Sequence, residues 1–388
     1  MTIRFEAPVE GDCHPDFAEV RAAFTENFAS GEEIGASVAL IRRGEVLVDL
    51  WGGYLDIRRT QPWQRDTIVC MMSVTKSMAA LAVHLLVDRG HVELDRPVCH
   101  YWPEFAQGGK AAMTVRTVLA HLGSLPYLDT APENSLYDQA TLRAALARQV
   151  PTWPPGSMPC YHSFTYGLIC EALVELVDGR SLSDFFRDEI AGPNGIDFHF
   201  SVTGDLVARR SLYYPTRGTP SYEAINWLVD SPIYRAWRPA RPRPDFNDPR
   251  YLERGFASGG GHGNARAMAR MYDILANGGQ VGDGRRLIGE KAITEARQPA
   301  WDAVEAISNR HFRMGLGFML SSPVLPMGGG RNTFGHAGIG GAIAFGDPDL
   351  GYGFSYCGNR MAPVADQGPF ASALINAAAV CLARTQAA

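Results

Sequence analysis

Residues 70–95 read CMMSVTKSMAALAVHLLVDRGHVELD. The apolar letters after Ser73 recur at helical spacing and stop at Gly90, which predicts a helix over 74–90 with Ser73 at its head. Lys76 is the unexpected letter. The chain carries 36 lysines and arginines, and only Lys76, Lys110 and Lys291 are lysine. Helical residues three apart share a face, so the Lys76 amine stacks one turn from the Ser73 hydroxyl. A serine is a poor nucleophile until a base takes its proton. A lysine can be that base when burial or a neighbouring charge lowers its pKa, whereas an arginine stays protonated. The competing reading makes Ser73 a plain N-cap and Lys76 a solvated first-turn residue. It is the weaker one, because a helix start favours acidic residues over lysine. The unpaired N–H groups and dipole at a helix start also suit a developing oxyanion.

The rest of the composition sets bounds on the setting. At 388 residues, 46% apolar and 20% charged, the chain is long enough for one large domain or two to three ordinary ones. A net charge of −5 gives no electrostatic reason to bind nucleic acid or anionic lipid. The first residues, MTIRFEAPVEGDCHPDF, lack a basic start and an apolar core, and no run of about 18 apolar residues suggests a membrane span. Seven scattered cysteines (13, 70, 99, 160, 170, 357, 381) without a CxxC pair read as free thiols in a reducing cytoplasm. The dispersed histidines suggest no metal, and no cofactor is expected.

Hairpin signals stand at both ends of the chain. GASVALIRRGEVLVDLWGG (35–53) turns at Arg43-Gly44, and GGAIAFGDPDLGYGFSYCGN (340–359) places strands at 341–346 and 352–357 around Asp-Pro-Asp. Helical patterns flank them at 17–29 and 370–385. Between the ends, 114–121, 141–149, 165–178 and 181–190 also look helical. The fold class expected is therefore α/β (α+β): one antiparallel sheet assembled from both ends, flanked by terminal helices, with a mainly helical lobe inserted. The boundaries are 1–70 with 265–388 for the α/β lobe and 71–264 for the helical lobe, the active site lying where they meet. The Pro- and Arg-dense 236–255 is expected to be a surface-hugging loop rather than a nucleic-acid arm.

Two further stretches carry chemistry. In PPGSMPCYHSFTYGLICEALVELVDG (154–179), Tyr161 precedes an apolar helix; with a cationic amine beside it, its pKa could be lowered and it could pass protons. FGHAGIGGAIAF (334–345) is a strand edge whose small residues let a backbone approach a substrate. Neither GxSxG nor HExxH occurs. SGGGHG (258–263) lacks the GK[ST] of a phosphate loop and reads as a tight helix-entry turn.

In this order, SVTKS, YHS (161–163) and HAG (336–338) resemble the SxxK, YxN and KTG motifs of the serine β-lactamase and penicillin-recognising superfamily, most closely its esterase branch, the family VIII carboxylesterases. The resemblance covers most of the chain and implies a β-lactamase-like fold. It implies Ser73 as nucleophile, Lys76 and Tyr161 as the proton-handling pair, and an oxyanion hole from the backbone N–H groups of Ser73 and Ile339. Ser163, His336, Ala337 and Gly338 are then expected to contact substrate, HLGSLPY (121–127) to be structural support, and Trp227, Tyr234 and Trp237 to line an acyl pocket. His336 replaces the KTG lysine and Ser163 the YxN asparagine, which removes a cation and an amide that hold a β-lactam. The expected activity is a carboxylesterase cleaving short-chain esters through an acyl-enzyme, with a small-molecule ester as partner. A β-lactamase, D-amino-acid peptidase or oligoamide hydrolase, and a silent binding protein, are the alternatives.

Overall fold

The turn at Arg43-Gly44 takes positive φ at both residues (51° and 85°), the conformation that lets a two-residue hairpin follow the strand twist. In the computed structural model, which describes residues 4–387 except 217, 219, 242–244, 283 and 364–366, this hairpin joins Gly35–Arg42 to Glu45–Gly53. The C-terminal hairpin joins Ile343–Asp347 to Tyr352–Gly358. The two ends meet directly, with Tyr352 opposite Arg42 and Gly358 opposite Ala36. In order across the antiparallel sheet stand Val9–Cys13, Glu45–Gly53, Gly35–Arg42, Tyr352–Gly358, Ile343–Asp347, Phe334–Ala337, Met319–Leu320, His311–Met314 and Trp301–Val304.

Strand alternation divides the core. Val38 and Leu40 pack with Phe24 and Leu374 of the terminal helices Ala18–Asn27 and Gly368–Ala387. Ala39 and Ile41 face the other way, toward Met271 and Tyr272 of helix Ala265–Ala276. That helix lies close on the sheet: a Cβ at Gly353 would stand 2.0 Å from the Ala269 carbonyl oxygen.

The predicted helices form as Val74–Asp88, Val115–Leu119, Gln139–Arg148 and Thr165–Asp178. The 114–121 segment is shorter than read, ending at Leu119, because His121 turns to φ 58°. The 181–190 helix opens from Leu182–Phe185 into a π turn over Phe186–Ala191, where Pro193 has no N–H to offer the preceding turn. Within 236–255, residues 242–244 lie outside the described residues. The remainder is more ordered than a loop, with turns at Arg238–Ala240 and Pro249–Arg254. Its arginines serve local contacts: Arg254 pairs with buried Glu171, and Arg241 lies 3.2 Å over the Tyr234 ring.

Two of the three lysines are fully buried, Lys76 and Lys110. Lys110 donates to the carbonyls of Gln107 (2.7 Å), Ala147 (2.9 Å) and Gln149 (2.5 Å), closing the end of helix Gln139–Arg148. Burial lowers its pKa to about 8. Lys110→Met strands three carbonyls and is expected to destabilise the fold by about 3 kcal/mol in denaturant titration, leaving kcat per folded molecule unchanged.

Candidate functional site

The chain reaches Ser73 through Met72 at φ 49°, a strained conformation for a residue with a Cβ and one found where a site fixes its backbone. Ser73 stands at the N-cap of Val74–Asp88, yet its side chain makes no capping bond. Its hydroxyl instead lies 3.1 Å from Lys76 Nζ. The amine also donates to the Ser258 carbonyl at 2.5 Å and sits 5.1 Å from the Tyr161 ring centroid. Burial lowers the Lys76 pKa from 10.5 to about 7, so the neutral amine is available near neutral pH. SGGGHG turns only over its first residues and then runs as the strand His262–Gly263, paired with Val69–Cys70, before helix Ala265–Ala276; no sequence signal marks the first residue of that turn, Ser258. Its hydroxyl accepts from the Gly167 N–H and donates to the Phe164 carbonyl, tying the Tyr161 helix to the turn that holds the lysine.

Tyr161 departs from expectation in one respect. Burial pushes its pKa above the ordinary phenol value rather than below it, and the nearness of Ser73 and the charge of Arg310 offset this only in part. The physical reason is that a buried phenolate loses solvation, while a lysine titrating near 7 lends little fixed positive charge. The phenol oxygen is buried beside Ser73 without a well-formed hydrogen bond. Its backbone N–H donates to Glu305 at 2.7 Å, and the same carboxylate accepts from the N–H groups of Ile307 and Ser308. His121 stacks on the Tyr161 ring with centroids 4.9 Å apart, and its Nδ1 accepts from the His162 N–H, so HLGSLPY supports the tyrosine from behind.

Ser73, Tyr161, Ser163, Trp237, Ala337 and Ile339 line one pocket of about 730 Å³, counted with its open mouth. The rest of its wall includes Ile225, Ile233, Ile307, Phe312, Met319 and Leu325, with Glu305, Ser308 and Arg310. The strand edge after HAG comes close to the nucleophile, since a Cβ at Gly338 would reach 3.2 Å from the Ser73 backbone nitrogen and 2.7 Å from the Met71 carbonyl. Among the described residues, neither the Ser73 nor the Ile339 N–H has a protein acceptor.

Four expected contacts are not part of the pocket wall: Gly338, which lies beside the Ser73 nitrogen, and His336, Tyr234 and Trp227. His336 is fully buried next to Tyr161 and does not reach the pocket wall; burial, with the Lys76 charge, lowers its pKa to about 3, so it is neutral. Its Nδ1–H donates to the Ala337 carbonyl at 2.7 Å, which leaves Nε2 as a bare acceptor. Tyr234 stacks under Arg241 and, like the 51% exposed Trp227, does not line the pocket. Among the described residues, no cluster of three or more metal-binding side chains occurs, and no helix is long and apolar enough to cross a membrane.

Comparison with known proteins gives the family and the fold. Residues 20–377 match the family model described as Beta-lactamase. The esterase/β-lactamase LipL of Mycobacterium tuberculosis is 31% identical over 368 residues, covering 91% of this chain and 83% of LipL. A family VIII carboxylesterase crystal structure aligns with a TM-score of 0.88 at 34% identity, over 96% of this chain and all of that one. A penicillin-binding-protein homologue from Caulobacter crescentus gives 0.86, also at 34% identity, over 96% and 100%.

Proposed function

The chain belongs to the β-lactamase family and has its fold, and from that premise we propose that it is a carboxylesterase that cleaves short-chain esters through an acyl-enzyme on Ser73. The observation that carries the reading is a serine hydroxyl that caps nothing, 3.1 Å from a buried amine with a pKa near 7. Lys76 Nζ takes the Ser73 proton as Oγ attacks the ester carbonyl. The N–H groups of Ser73 and Ile339 receive the oxyanion. The Lys76 ammonium returns its proton through the Tyr161 hydroxyl to the leaving alcohol, since a phenol held protonated by burial serves as a relay rather than as the resting base. Water then attacks the acyl-enzyme as Lys76 takes its proton, and Lys76 gives that proton to Ser73 Oγ as the carbon–Oγ bond breaks and the acid leaves. The nearness of Gly338 to the Ser73 nitrogen and the absence of acceptors for both N–H groups among the described residues support the oxyanion assignment.

Ester is favoured over lactam by the neutral, buried His336 where related sites carry lysine, by Ser163 in place of an amide, and by the apolar wall. The pocket draws Ser73, Tyr161 and Trp237 from 71–264 and Glu305, Arg310 and Ile339 from the later segment, which supports a site where the two proposed lobes, 71–264 and 1–70 with 265–388, meet. Seven unpaired thiols support a cytoplasmic setting. The test is turnover of p-nitrophenyl acetate and butyrate against nitrocefin. The ester rates are expected to dominate kcat/KM by at least about 10²-fold. A dominant nitrocefin rate would assign the amide-directed class instead.

A further inference from the structure

Trp227, Leu228 and Val229 form three consecutive exposed apolar side chains, at 51%, 55% and 64% exposure. They cap a closed turn between the short helices Pro220–Asn226 and Pro232–Ala236. The turn is internally tied: the Ser231 N–H donates to the Leu228 carbonyl at 2.8 Å, and the Ser231 hydroxyl to the Ala224 carbonyl at 3.2 Å. Ile225 just before the apex and Ile233 just after it both line the Ser73 pocket. The apolar wall of the pocket therefore continues outward along both helices to an exposed apolar tip at its mouth. Leu228 and Val229 leave more than half of their apolar surface in water, and contiguous exposed apolar patches mark contact surfaces.

Charge selects what can cover this tip. Residues 222–233, YEAINWLVDSPI, contain Glu223 and Asp230 and no lysine or arginine. An anionic lipid surface needs free basic residues beside the apolar ones; the flanking helix Pro232–Ala236 adds Arg235, but that guanidinium is paired with Asp129, which leaves the flank net acidic. Taken on the reading that this is an esterase, we propose that the Trp227–Val229 tip docks the pocket mouth onto the surface of an aggregated neutral ester, such as a droplet of short-chain triacylglycerol. The substrate is then presented from a condensed phase as well as from solution. Trp227 thus belongs to the outside of the site, where its sequence position alone suggested the inside.

The experiment uses the full chain and a Leu228→Ser/Val229→Ser variant, assayed on soluble p-nitrophenyl acetate and on tributyrin across its solubility limit. The tip makes no pocket contact, so the acetate kinetics are expected to be the same in both. The parent rate on tributyrin should climb steeply once droplets form, while the variant shows an apparent KM for droplets about tenfold higher. A parent rate that ignores the solubility limit, or an equal rise in the variant, overturns the inference while acetate turnover keeps the esterase reading intact. An absence of acetate turnover in the parent fails that reading and this inference together. A change of oligomeric state in the variant by light scattering would assign the tip to a second copy of the chain and also overturn it.

Discussion

Ser73→Ala is expected to lower kcat for p-nitrophenyl butyrate by at least about 10⁴-fold, because it removes the atom that carries the acyl group rather than one of its helpers. The fold should not notice. The Ser73 hydroxyl makes no capping bond and lies beside Lys76 and Tyr161 without bracing any helix end, so Tm is expected within about 2 °C of the parent. Inactivation with an unchanged melting curve distinguishes loss of the nucleophile from collapse of the site. If the alanine variant kept substantial activity, a different residue would have to be the nucleophile.

Lys76→Met is expected to have two effects of opposite sign. Turnover should fall by about 10³-fold, and Lys76→Arg should not restore it, since a guanidinium cannot give up its proton. Stability should move the other way at low pH. The folded-state pKa of Lys76 is about 7 against an ordinary 10.5, so the unfolded chain binds this proton more tightly than the folded one. Between those values stability rises with pH, and at pH 7 and below the buried amine costs on the order of 4 kcal/mol. Methionine removes that cost but leaves the Ser258 carbonyl without its donor, a loss of about 2 kcal/mol. The variant should therefore melt higher than the parent near pH 6, with the gain fading as pH rises toward 10. A difference in Tm that is independent of pH would show that Lys76 is not held deprotonated by burial. The contrast with Lys110→Met is informative, because Lys110 spends its three hydrogens on carbonyls and its loss destabilises. Because burial lowers the Lys110 pKa less, to about 8, and three carbonyls rather than one lose their donor, Lys110→Met is expected to be the less stable of the two variants relative to the parent across pH 6 to 10.

Much of this was legible in the chain because it rests on local geometry. The Ser73–Lys76 contact follows from two residues one helical turn apart, and both hairpins follow from turn chemistry at Arg43-Gly44 and Asp-Pro-Asp. What could not be read depends on elements far apart in sequence. Glu305, which holds the Tyr161 backbone, lies beyond the strand Trp301–Val304, and no spacing rule links it to position 161. Ser258 was visible only as the start of a glycine-rich turn, and its carbonyl became part of the site through packing against Gly167. The Tyr161 shift runs opposite to the sequence expectation because the burial that lowers the lysine's pKa also raises the tyrosine's. His336 was placed in the pocket by analogy of motif position; its ring turns instead into the packed layer beside Tyr161.

The most direct test of the account is to quench the enzyme during steady turnover of p-nitrophenyl butyrate, digest it, and locate the acyl group by mass spectrometry. The account predicts one butyryl group on Ser73 in the parent and none in Ser73→Ala. An acyl group on Tyr161, on Cys70 or on any other side chain, with Ser73 bare during turnover, would contradict it.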